Sequence, residues 1–137
     1  MKKNKKTIGL ICLFLLIATV SLTGCIETVT TVGWKHGDGT SIILQGAAPT
    51  EYQSYPLVDV EFLFDDKSHS ESDLDQYTIL EPTASMKKGG IEYFEKTIPG
   101  LELQKVYYFR AKATYQVIDG NYPSVVVGEE ISFSLAQ

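Results

Sequence analysis

The sequence is poor in the residues from which active sites are usually assembled. It holds two cysteines, two histidines and one tryptophan in 137 residues. No G-x-S-x-G, H-E-x-x-H or phosphate-cradling glycine loop occurs in it, and no cofactor is implied. Cys12 lies inside an N-terminal apolar run, so a chain that loses that run keeps one thiol and cannot form an internal disulfide. Basic residues are also scarce. The first 24 residues hold Lys2, Lys3, Lys5 and Lys6 and no acid, which leaves 8 basic against 17 acidic residues, a formal charge of −9, for the rest. A surface that acidic repels phosphate polyanions, which excludes nucleic acid as a partner. Repeats, low-complexity blocks and helical periodicity are missing after residue 25.

What is present begins at the front. "MKKNKK" is a short cationic head, and "TIGLICLFLLIATVSLTG" is an apolar run ending on a small residue. This is the layout of a secretion signal rather than of a transmembrane helix. The run closes on Leu22, Thr23, Gly24 and Cys25, and "LTGC" in this position resembles the lipobox of prokaryotic lipoproteins. The resemblance implies cleavage before Cys25, a lipid on the Cys25 thiol, and residence on the extracytoplasmic face of the cell membrane. Each buried acyl methylene contributes about 0.8 kcal/mol, so two or more chains anchor effectively permanently. The alternative is a plain secreted or membrane-spanning protein in which Cys25 is incidental. Three regions follow: a signal peptide at 1–24, a lipidated N-terminus and minimal tether at 25–27, and a folded domain at 28–137. No Ser/Gly-rich spacer separates Cys25 from the extended "IETVTTVGW", so the domain should sit close to the membrane.

Within the domain the dominant signal is alternation with a period of two, the mark of half-buried strands. "VDVEFLF" puts Val58, Val60, Phe62 and Phe64 on one face. "VYYFRAKATYQV" turns Tyr107, Phe109, Ala111, Ala113, Tyr115 and Val117 inward and leaves Tyr108, Arg110 and Lys112 outside. Ile131, Phe133 and Leu135 alternate with polar neighbours. Turn signals at 37–39, 47–49, 87–90, 99–100 and 119–123 separate the runs. The pattern predicts an all-β fold, a single antiparallel β-sandwich of about seven strands near 27–34, 41–47, 57–65, 76–80, 91–98, 105–118 and 125–135.

"IPGLELQKVYYFRAKA" resembles the corner before the penultimate strand of fibronectin type III-like domains, with Leu101 six residues before Tyr107. "GEEISFSL", "SIILQGAA" and "VDVEFLF" are similar to further strands of that fold. The resemblance implies a fibronectin type III-like or Ig-like sandwich with a tyrosine corner, in which the Tyr107 hydroxyl bonds back to nearby backbone. A core tryptophan usual on the second strand is replaced there by Ile42 and Leu44; the single Trp34 stands at the end of the first strand.

Candidate chemistry is thin. His36 sits beside Asp38 in a glycine turn, and His69 lies in the acidic stretch "DDKSHSESDLD". Asp65, Asp66, Asp73 and Asp75 offer oxygen ligands suited to calcium but lack the spacing that would make them converge, so the stretch reads as a solvated loop before it reads as a metal site. In a sandwich, the loops at 46–56 and 119–123 share an end with the start of the first strand. Tyr52, Tyr55 and Tyr122 would therefore face the membrane, where tyrosine favours the interface, or serve as ordinary loop packing. Trp34, His36 and the acidic loop would face outward, with Tyr108 on the outer sheet face as a further partner contact. The expected function is that of a non-catalytic, lipid-anchored surface module acting in protein–protein interaction, in adhesion or as an accessory subunit. The alternative is a carbohydrate-binding module or a small envelope hydrolase.

Overall fold

The computed structural model describes residues 27–117 and 122–136. The stretch expected to be a signal peptide, with Leu22, Thr23, Gly24 and Cys25, thus lies outside the described residues. Ten strands follow in order: β1 (Thr30–His36), β2 (Ile42–Pro49), β3 (Glu51–Tyr52), β4 (Tyr55–Asp65), β5 (Thr78–Leu80), β6 (Ala84–Lys88), β7 (Ile91–Ile98), β8 (Val106–Tyr115), β9 (Ser124–Val127) and β10 (Ile131–Ser134), with a 3-10 turn at Glu71–Gln76. No helix among the described residues is long and apolar enough to cross a membrane.

Antiparallel pairing builds one sheet in the order β1-β2-β7-β6 and a second in the order β10-β8-β4-β3, with β5 added to β4 and β9 to β8. The inward parity of each sheet is apolar, and the two faces meet in one core. Ile42, Leu44, Ala48 and Phe94 come from the first sheet; Val60, Phe62, Phe109, Ala111, Ala113 and Tyr115 come from the second. The Phe62 and Phe94 rings meet across the layers, with centroids 5.0 Å apart. Burial of such rings is the main favourable contribution to a domain of this size. Gly46 is what allows the close approach, since a Cβ there would lie 2.8 Å from the Phe94 ring and 3.0 Å from the Ala111 Cβ.

The expected alternation holds along β8 and fails in β4. Val58 is 58% exposed. The register slips between Leu57 and Asp59, so Leu57 packs against the core and Val58 is expelled as the bulged residue. Three more departures enlarge the strand count. The last expected strand breaks at Gly128–Glu130 into β9 and β10. The stretch read as loop at 46–56 continues β2 to Pro49 and closes a β3–β4 hairpin through Gln53 and Ser54, both at positive φ. Lys87 and Lys88, read as turn, belong to β6, and only Gly89 and Gly90 make the bend, at φ 61° and 79°.

The register also defines two ends. The start of β1, the ends of β2 and β6, the β3–β4 hairpin, the end of β8 and the start of β9 share one, tied by Tyr115 Oη donating to Pro49 O at 2.8 Å. The β1–β2 turn and the corner between β7 and β8 share the other. At that corner Glu102 N donates to the Tyr107 hydroxyl at 3.0 Å, with Leu101 half-buried against the core. Tyr107→Phe is therefore expected to lower the unfolding free energy by about 1 kcal/mol. Tyr108→Phe, half-buried on the outer face, should change it little; urea unfolding of both variants checks the contrast.

Candidate functional site

On the outer face of β8, alternation places Tyr108, Arg110 and Lys112 where water is expected. Arg110 is instead 7% exposed. The chain between β4 and β5 folds back over it, and the guanidinium uses its whole fork. Nε donates to Tyr77 Oη at 3.1 Å, Nη1 to Gly128 O at 2.9 Å, and Nη2 to His69 O at 3.1 Å. Glu71 lies 3.9 Å from Nη1 but is itself largely exposed, so that pair adds little. A planar, permanently charged group with fixed donors suits three acceptors, two in the β4–β5 loop and one in the break after β9.

Glu130, in the break between β9 and β10, completes the clamp from the other side. It accepts from Ser68 Oγ at 2.5 Å, from His69 N at 3.0 Å, and from the Tyr77 hydroxyl in a short contact. His69 Nε2 meets Asp65 at 2.5 Å, and its ring stands edge-on to Tyr77 at 4.9 Å. Further along, Lys105 binds both Asp66 and Glu102 at 3.1 Å, which fastens the loop to the β7–β8 corner. The loop expected to be solvated is thus held at 65, 66, 68, 69 and 77, although no residue of its 3-10 turn is buried.

The electrostatics follow from these contacts. The hydrogen bond from His69 is the largest influence on Asp65 and holds its carboxyl below the ordinary value of 3.8. Burial pushes Glu130 up, but donation by Ser68, Tyr77 and the His69 amide brings it net below 4.5. Burial, then the Glu130 contact, raises the Tyr77 phenol. Groups with depressed values in the fold stabilise it fully above their unfolded values and lose that contribution as pH falls through the folded ones. Between pH 7 and 5 the loop should keep its hydrogen-exchange protection, and release should begin only below about pH 4, near the ordinary carboxylate range. Loss of protection already at pH 6 would contradict this assignment.

The four aspartates considered for calcium do not converge. Asp65 is taken by His69, Asp66 by Lys105 and Asp73 by Ser70 at 3.1 Å, and Asp75 is exposed. Among the described residues, the carboxylates that do approach one another, within 4.8 Å, are Asp59, Glu61 and Glu81. Lys112 holds Glu61 at 2.9 Å, and a hydrogen bond shared with Glu61 raises Glu81. Trp34 faces inward, its ring 5.1 Å from Phe133, and occupies the space between the sheets. His36 is exposed and leans edge-on against Trp34 at 5.2 Å. Tyr52 packs on Tyr115 at 5.4 Å and Tyr55 lies against the core, whereas Tyr122 is 83% exposed. Burial, followed by the neighbouring Tyr52, pushes the Tyr115 phenol up to about 12.

Arg110, Tyr77 and Glu130 were not singled out from sequence. The one available signal is an arginine within a largely apolar and aromatic strand, with Leu63 opposite it on β4. Comparison with known proteins finds no matching family, no matching curated protein and no matching solved structure.

Proposed function

We propose that the chain is a non-catalytic module, held by lipid on Cys25 at the extracytoplasmic face of the cell membrane, that presents the loop between β4 and β5 to a protein partner. The observation that carries this reading is the clamp. Burying a guanidinium costs several kcal/mol and repays it only with good geometry, so such groups are weak devices for stability and better ones for fixing a conformation. Here the conformation fixed is that of a surface segment with no buried residue in its 3-10 turn. Rigid loops on a sheet scaffold are where binding residues concentrate.

The finer fold assignment belongs to the same reading. The order β1-β2-β7-β6 facing β9/β10-β8-β4-β5, with the Tyr107 corner, supports a fibronectin type III-like or Ig-like sandwich. Val29 is 3% exposed and stands four residues after Cys25, so an anchor there would hold the domain on the surface without a stalk.

Two measurements test the proposal. Cys25→Ala should leave the chain unprocessed or free in the soluble fraction; a variant that stays membrane-bound with labelled lipid overturns the anchor. A photo-crosslinker at Asp73 should capture one protein from intact membranes, and capture should be lost in Arg110→Leu. Equal capture from Glu51, at the other end, would remove the loop from the interface.

A further inference from the structure

The exposed large apolar side chains among the described residues are unevenly placed. Leu103 and Val106 lie by the β7–β8 corner, Ile79 is in the short β5, and Met86 is in β6. Val58, Tyr122 and Val125, at 58%, 83% and 47% exposure, gather at the end where β1 begins. The register brings these three together. Val125 pairs with Thr114 on one side of β8, and Val58 fills the bulge between the partners of Tyr115 and Thr114 on the other. Two strand spacings separate them, about 10 Å. Tyr122 stands two residues before Ser124, which pairs with Tyr115.

We infer that this rim, formed by Val58, Tyr122 and Val125, rests in the headgroup layer of the lipid bilayer. The inference relies on the lipid anchor at Cys25. What selects lipid as the occupant is where the chain enters the fold. Val29, which is buried, lies four residue steps from Cys25, at most about 14 Å of chain, so an acylated cysteine keeps this end at the surface. Three side chains are too few to bind a membrane alone. A tether this short supplies an effective concentration in the mM range, which converts weak contact into steady contact. Tyr122 suits the interface, with its ring towards the acyl chains and its hydroxyl in water. Lys87 and Lys88 end β6 on the same side, and their long stems can lie along the surface. Asp59, Glu51 and Glu27 are also exposed there, so the surface is zwitterionic rather than anionic.

The orientation has a consequence for the clamp. With the β4–β8–β9 corner against the lipid, the loop over Arg110 lies towards the opposite end and stays open to a soluble partner.

The mature lipidated chain offers a clean test, because its only native cysteine is acylated. Nitroxide labels at Tyr122→Cys, Val125→Cys and, for reference, Leu103→Cys are compared after reconstitution into phosphatidylcholine vesicles. Power saturation should find the labels at 122 and 125 several-fold less accessible to an aqueous nickel chelate than the label at 103. Equal accessibility overturns the rim while leaving the anchor standing. Spin–spin broadening at 122 or 125 would assign the rim to a second copy and also overturn it. Flotation of the unlabelled protein reads the anchor separately. If it fails to rise with the vesicles, the lipid reading falls and takes the rim with it.

Discussion

Arg110→Leu is expected to lower the unfolding free energy by about 3 kcal/mol and to strip hydrogen-exchange protection from residues 66–77. The loss has named sources. Gly128 O and Tyr77 Oη each lose the donor that satisfies them, while His69 O keeps only the Tyr77 hydroxyl, at 3.0 Å, which it shares with Glu130; an unsatisfied buried acceptor costs about 1–3 kcal/mol. Leucine offsets part of this, because it offers apolar surface to Leu63, opposite on β4 and 2% exposed. The Glu130 carboxylate keeps Ser68, Tyr77 and the His69 amide but loses the nearby positive charge. Arg110→Lys separates charge from geometry. An ammonium retains the charge and cannot reach three divergent acceptors, so it should recover only a minor share of the loss. Urea unfolding gives the magnitude, and exchange by residue gives the location. A loss under 1 kcal/mol, with the loop still protected, would show that the clamp is incidental to the loop's order.

The strands and the clamp differ in how far they could be read from sequence. Alternation reports which face of a strand is apolar, and along β8 it separates Tyr107, Phe109, Ala111, Ala113 and Tyr115 from their neighbours without error. It cannot report what later folds over the polar face. Arg110 is buried by partners 33 and 41 residues earlier and 18 later, contacts that no local window contains. Val58 was misplaced for a different reason. A bulge adds one residue to one strand and reverses its parity, and the neighbouring "VDVEFLF" carries no glycine to mark it. β6 escaped notice because all five of its residues are exposed, so it has no buried face to produce a pattern. Placed at the last residue of a strand ending at 34, Trp34 reads as part of the outward-facing turn; β1 in fact runs on to His36, so Trp34 lies within the strand and its indole turns inward.

Gly128→Ala should be the most damaging exchange of one small residue for another, at about 4 kcal/mol. The glycine sits where β9 ends and the edge of the first sheet crosses the second. A Cβ there would stand 2.6 Å from Thr31 N, against backbone, and would also strike the Thr31 hydroxyl. Overpacking of this kind costs about 1–3 kcal/mol when side chains can yield, and backbone yields less readily. The Thr31 hydroxyl has a second duty. It accepts from Ala111 N at 3.0 Å in the interior, where the break in the last strand leaves no carbonyl to do so. Displacing it leaves a buried amide unpaired, which adds about 1–3 kcal/mol. Gly46→Ala is the natural comparison. Its nearest neighbours are the far edge of the Phe94 ring and a methyl group, both side chain, so its cost should fall near 2 kcal/mol. A double-mutant cycle identifies the cause. Thr31→Ala alone should cost about 2 kcal/mol through the orphaned Ala111 amide. Combined with Gly128→Ala it should cost less than the sum, because the clash and the lost hydrogen bond share one hydroxyl. Strict additivity would mean that the two residues act independently, and the crossing of β1 over the break would then lose its role in holding the sheets together.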